Sequence, residues 1–127
     1  AFFWFPNAPK RAPGVASAAE LPGVGDIATA HGSMNHVAFT IPLEKFDEYK
    51  ARLDAKGVQT GPVLNHDDSE RGIAETYHDG VFVRSMYFFD PDGILLEFAA
   101  WTRELNEDDV NLAPVNAKGE PAAVVGA

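Results

Sequence analysis

Glu97 stands inside ILLEFAAW, residues 94–101, with apolar neighbours on both sides in a segment that reads as a strand. An unpaired carboxylate is expensive to bury, so an acid there needs a cation, a hydrogen-bonded cage or a proton. The plainer reading is a Glu on the solvated face of a half-buried strand. Alternation opposes it, because that face also carries Leu95, Ala99 and Trp101. His36 is the natural companion, since imidazole plus carboxylate is the donor mix of iron, manganese, nickel or zinc in a site without thiolates. His66, in the polar stretch NHDDSERG, reads as a solvated loop residue or an acid–base group over a site. Arg84 is suited to pairing a substrate carboxylate, or an Asp across a hairpin. His31 reads as a surface residue.

These residues need elements to hold them. NHVAFTI, residues 35–41, is β-branched and aromatic and predicts a strand. LEKFDEYKARLDAKG follows, with Phe46, Tyr49 and Leu53 at i, i+3 and i+7 and Gly57 at the end, which predicts an amphipathic helix. Val58 to Leu64 predicts a second strand, at an edge or bulged because of Gly61-Pro62. Residues 65–72 read as a loop, and residues 73–76 as the opening of a third strand. Residues 81–89 and 94–101 predict two strands joined by the turn DPDG. The order is β-α-β-β-β. Before it, residues 1–33 read as a short aromatic strand at residues 2–5 and a Pro/Gly/Ala-rich linker, and residues 104–127 as an acidic, flexible tail.

Composition bounds the partners. The 127 residues carry a formal charge of −9, against the basic footprint that nucleic acid demands. Residues 58–101 hold eight acids and two bases, whereas the helix region 43–57 balances four with four, so the negative potential lies on the hairpin half and the tail. The absence of cysteine excludes disulfides, thiolate metal sites and a cysteine nucleophile, and fits a reducing, cytoplasmic setting. No apolar run approaches the ~20 residues of a membrane span.

The β-α-β-β-β order, NHVAF with its His, and YFFDPDGILLEF with its Glu resemble the vicinal oxygen chelate superfamily: glyoxalase I, extradiol ring-cleaving dioxygenases and bleomycin-resistance proteins. The likeness covers residues 34–103. It implies an α+β module with a mixed, curved sheet and a helix, preceded by an extended arm, and it implies His36 and Glu97 as metal ligands. Thr76-Tyr77-His78, Met86-Tyr87, the DPDG turn and Glu97, at their spacing, resemble the extradiol dioxygenase signature. That likeness further implies His78 as a proton-handling residue and Tyr87 as a hydrogen-bond partner in the substrate pocket. Hairpin geometry bears on Tyr87. With Gly93 left-handed in a three-residue bulged loop, Tyr87 faces Glu97; in a two-residue loop Met86 would take that place. Gly93 predicts the bulged register.

Members of that superfamily build one site from two modules, and only one is complete here. The opening AFFWFP resembles the last strand of a preceding module. With two ligands in the chain, either a second copy completes the site, giving two His and two Glu in a symmetric homodimer, or the chain is a fragment that lacks its site; self-association is expected in either case, because a lone ~70-residue module has little core of its own. The resulting expectation is a metal-dependent enzyme most like an extradiol dioxygenase, acting on a catechol-type or other vicinal-oxygen compound with iron(II) favoured over manganese, nickel or zinc. A glyoxalase I-like lyase or isomerase and a non-catalytic drug-sequestering protein are the alternatives.

Overall fold

A computed structural model describes residues 5, 7–10, 14, 15, 17–107 and 109. The aromatic strand expected at residues 2–5 lies outside the described residues except for Phe5, as does the tail from residue 110 onward. The chain runs through β1 (Gly14–Val15), β2 (Ser33–Met34), β3 (Val37–Thr40), a 3-10 turn at Leu43–Lys45, α1 (Phe46–Ala55), β4 (Leu64–His66), β5 (Val83–Phe89) and β6 (Leu95–Trp101). The last four strands form one mixed sheet in the order β3-β6-β5-β4, with β3 parallel to β6 and the other pairs antiparallel. This is the α+β arrangement expected, a helix following the first strand of the sheet and three strands following the helix.

The β5–β6 hairpin takes its register from the turn. Gly93 sits at φ +82, where a residue without Cβ is at ease. Its N–H donates to the Asp90 carbonyl, and the Asp90 N–H donates to the Ile94 carbonyl at 3.0 Å. The Asp90 carboxylate also accepts from the backbone N–H groups of Asp92 and Ile94, closing the loop from inside. Tyr87 therefore pairs with Glu97, and Met86 with Phe98.

The two faces of the sheet are covered differently. Phe46, fully buried at the start of α1, packs with Ile41, Met86 and Ala100. The helix stops where Gly57, at φ +73, donates to the Asp54 carbonyl and Val58 to the Leu53 carbonyl, a Schellman ending. On the opposite face Ala18 and Leu21 of the arm pack on Tyr87 and Leu95, with Ile27, Leu64 and Phe89 around them. The arm is thus a cover over the sheet. Its residues bury singly between turns, so its sequence has no period for a pattern to reveal. The backbone N–H of Leu95 donates to Ser17 Oγ at 2.9 Å, fastening the cover to β6. A two-residue parallel pairing of β1 with β2 brings the arm back alongside the module.

Two expected strands differ from the structure. Residues 58–64 make only an isolated bridge, Thr60 to Phe88, and regular pairing starts at Leu64, past Pro62, which has no N–H for a ladder. The polar stretch from residue 65 accordingly begins as strand. Residues 73–76 contribute one bridge, Ala74 to Asn65, and no strand. No helix among the described residues is long and apolar enough to cross a membrane.

Candidate functional site

The arm face of the sheet collects the chemistry. Ala38 on β3, Glu97 on β6 and Tyr87 on β5 form one row across the strands. Strand alternation sends Glu97 to the same side as Leu95 and Tyr87, under the arm, and His36 lies two residues before Ala38 on that side. His36 Nε2 meets Glu97 Oε2 at 3.0 Å, with side chains only 16% and 9% exposed. The Tyr87 ring stands edge-on to the imidazole, centroids 5.5 Å apart.

The imidazole is held from behind. Asn35 Nδ2 donates to the Ile27 carbonyl at 2.7 Å and to Thr29 Oγ1 at 3.2 Å, which turns Oδ1 toward His36 Nδ1 at 2.9 Å. An acceptor there calls for a proton on Nδ1, and leaves Nε2 with its lone pair unless the ring is cationic. Two lone-pair donors facing each other at 3.0 Å require positive charge between them, which a proton or a metal cation satisfies. Burial pushes the Glu97 carboxyl up, but the contact with His36, the Ser85 hydroxyl and the Tyr87 phenol outweigh it and hold the group below its ordinary range. Burial, then the Glu97 charge, push the Tyr87 phenol upward, so it stays protonated as a donor. Ser85 is fully buried, and its Oγ has no well-aligned hydrogen-bond partner among the described residues.

His36, Glu97 and Tyr87 are brought together; three other candidates are not. Arg84 is separated from Tyr87 by an odd number of positions on β5, so it lies on the helix face. There its guanidinium stacks on the Phe46 ring at 4.5 Å and approaches Asp47 at 3.9 Å. Its acidic neighbour is thus Asp47 of α1, on the face opposite the His36–Glu97 pair. His66 belongs to β4, not a loop; it pairs with Val83 and shares the arm face. It lies four residues along the ladder from Tyr87, about 13 Å. His78 is exposed beyond that same end, with Nε2 3.2 Å from Asp67 Oδ2 and Nδ1 accepting from the Gly80 N–H. His78 therefore sits with Asp67 and apart from the group of His36, Glu97 and Tyr87. His31 is exposed, as expected, and contacts the Phe5 carbonyl. The sequence did not single out Asn35, Thr29 or Ser85. For Ser85 the signal was present, since it shares the parity of Tyr87 on one strand; for Thr29 none was.

Among the described residues no three His, Cys, Asp or Glu side chains gather as a group that could hold a metal ion, and His36 with Glu97 stands as a pair. The family model of the Glyoxalase/Bleomycin resistance protein/Dioxygenase superfamily matches residues 1–98. Among solved structures, the fosfomycin resistance protein FosX of Listeria monocytogenes matches in its hexagonal form at 34% identity, over 55% of this chain and 48% of that one, with a TM-score of 0.40. Its tetragonal form matches at 35% identity over 58% and 49%, also with a TM-score of 0.40. Integron cassette protein HFX_CASS4, from the mobile metagenome of the Halifax Harbour sewage outfall, matches at 23% identity over 57% and 54%, with a TM-score of 0.34. This chain spans about half the length of the solved chains it matches.

Proposed function

Because the chain belongs to the Glyoxalase/Bleomycin resistance protein/Dioxygenase superfamily, we propose that it is a metal-dependent enzyme acting on a small molecule with two neighbouring oxygens. The observation that carries this is the His36–Glu97 pair, two ligand atoms 3.0 Å apart under the arm, with the far side of the imidazole already committed to Asn35. That donor set fits a divalent cation, with iron(II) favoured by the imidazole–carboxylate mix and manganese, nickel or zinc as alternatives. When bound, such a cation supplies a Lewis-acid centre for negative charge developing on the two substrate oxygens.

The chain's own residues have separable roles in this reading. His36 and Glu97 hold the cation. Tyr87, kept protonated, donates a hydrogen bond at the edge of the site, to Glu97 or to a substrate oxygen. Leu21, Leu95 and the arm exclude water from one side. The other half of the ligand set comes from the same pair in a second copy, giving two His and two Glu across a symmetric dimer. The exposed edge strand β3, with Ala38, Phe39 and Thr40 all open, supports such association. In the same reading residues 34–103 are one module, with the arm laid over its sheet.

The spacing from Thr76 to Glu97 makes extradiol cleavage of a catechol the first reaction to test. Protein loaded with iron(II) without oxygen is mixed with catechols in air, and the yellow ring-cleavage product is followed. Product whose formation disappears in Glu97→Gln supports the reading. Bound iron with no cleavage, but turnover of a thiol adduct of methylglyoxal or of fosfomycin, moves the protein to isomerase or antibiotic-modifying chemistry. Aromatic binding without metal moves it to sequestration.

A further inference from the structure

Asn35 does more than precede a ligand. Its Nδ2 donates to the Ile27 carbonyl at 2.7 Å, so its orientation is fixed; a flipped amide would set two oxygens against each other at that distance. Thr29, almost wholly buried, takes the second Nδ2 contact. The segment carrying these acceptors is itself knitted: the Asp26 carboxylate accepts from the Ala28 N–H, the Glu20 carboxylate from the Asp26 N–H, and the Ala30 carbonyl from the hydroxyl and N–H of Ser33. What remains is Oδ1, 2.9 Å from His36 Nδ1.

We propose that Asn35 is a positioning residue that fixes His36 with Nδ1 protonated and Nε2 aimed at Glu97, and that it makes this setting depend on arm residues Ile27 and Thr29. The arm then has two jobs, covering the sheet and locking a ligand. This rests on the reading of His36 and Glu97 as metal ligands. An outer partner on the second imidazole nitrogen fixes both the ring orientation and the basicity of the ligand, and losing such a partner weakens metal binding by about 10–100-fold.

The test uses the full chain and zinc(II) alone as the probe, with two readouts. In calorimetric titration, Asn35→Leu weakens zinc binding by about 10–100-fold. Asn35→Asp keeps the acceptor but sets an oxygen against the Ile27 carbonyl, so it recovers only part of the loss, and Thr29→Val, which removes one of the two arm contacts, also falls in between. In nitrogen-15 spectra of the zinc-loaded protein, His36 carries a proton on Nδ1 that is protected from exchange with water, and Asn35→Leu or Thr29→Val exposes it. Unprotected Nδ1 in the parent, zinc on Nδ1, or Asn35→Asp binding no better than Asn35→Leu overturns the role of Asn35. Should Asn35→Leu not fold, the parent spectrum and Thr29→Val decide, a Thr29→Val that binds zinc more weakly than the parent with Nδ1 exposed counting in favour, and one that binds as tightly with Nδ1 protected counting against. Affinity lost in His36→Ala and Glu97→Gln but kept in Asn35→Leu defeats only the Asn35 role. Affinity unchanged in all three brings down the metal reading beneath it.

Discussion

Replacing Glu97 by Gln separates the fold from the metal site, because the amide keeps the shape and loses the charge. Without metal, the contact with His36 at 3.0 Å changes from a charge-assisted hydrogen bond to a neutral one. Charge-assisted bonds contribute about 1.5–3 kcal/mol and neutral ones about 0.5–1.5, so ~1–1.5 kcal/mol is lost. The side chain is only 9% exposed, and relief of its desolvation acts in the opposite direction. Metal-free Glu97→Gln should therefore unfold within about 1.5 kcal/mol of the parent. With metal the two diverge. Free cation at a hundred times Kd stabilises the parent by about 2.7 kcal/mol, which for a chain of this size is a Tm rise of roughly 8–14 °C. A hundredfold weaker Glu97→Gln at the same metal concentration gains about 0.4 kcal/mol, a rise of ~1–2 °C. Thermal melts with and without cation, at one fixed protein concentration, measure both. The pH dependence carries a sign. The native carboxyl is held below its ordinary value, so its contribution is present above that value and is lost as pH falls through the lowered native one. The metal-free parent should lose stability over that acid window more steeply than Glu97→Gln. A variant that keeps the full metal-induced rise, or that unfolds without metal, contradicts this reasoning.

Gly93→Ala meets no atom within 4 Å, so its cost is backbone strain alone at φ +82. We expect a loss of about 1–2 kcal/mol in urea unfolding with the Tyr87–Glu97 register kept, as hydrogen exchange of the hairpin amides would show. Phe46→Ala empties the fully buried position under α1 and should cost about 3–5 kcal/mol by the same measurement. Arg84→Leu, on the helix face with Nε buried and without a hydrogen-bond partner among the described residues, should leave metal affinity unchanged in calorimetry and shift stability by less than about 1 kcal/mol.

Much of the hairpin was legible because its determinants are local. Asp90, Pro91 and Gly93 set the loop, the loop sets the register, and the register puts Tyr87 across from Glu97. Glu97 itself was legible because a charge among apolar residues on both sides has no cheap explanation. The same parity that placed Tyr87 also places Arg84 on the other face, three residues away, so that signal was available. His78 and His66 are different. Their distance from Glu97 depends on where β4 starts pairing, which Pro62 delays by several residues, and on a loop whose course has no periodic pattern. The arm was illegible for a related reason: Ala18, Leu21 and Ile27 each fill a separate place on the sheet, and isolated contacts leave no repeat in the chain. Asn35 was visible as a residue, but its value lies in the direction of its amide, which only Ile27 and Thr29 reveal.

Native mass spectrometry of the full chain titrated with iron(II) or manganese(II) bears most directly on whether His36 and Glu97 form half of a shared metal site. A dimer holding two ions would mean independent sites. We expect a dimer that takes up its metal as one ion per two chains at each shared centre of two His and two Glu, with binding abolished when both copies carry His36→Ala. One ion on a monomeric chain, or unaltered uptake by the His36→Ala protein, would contradict it.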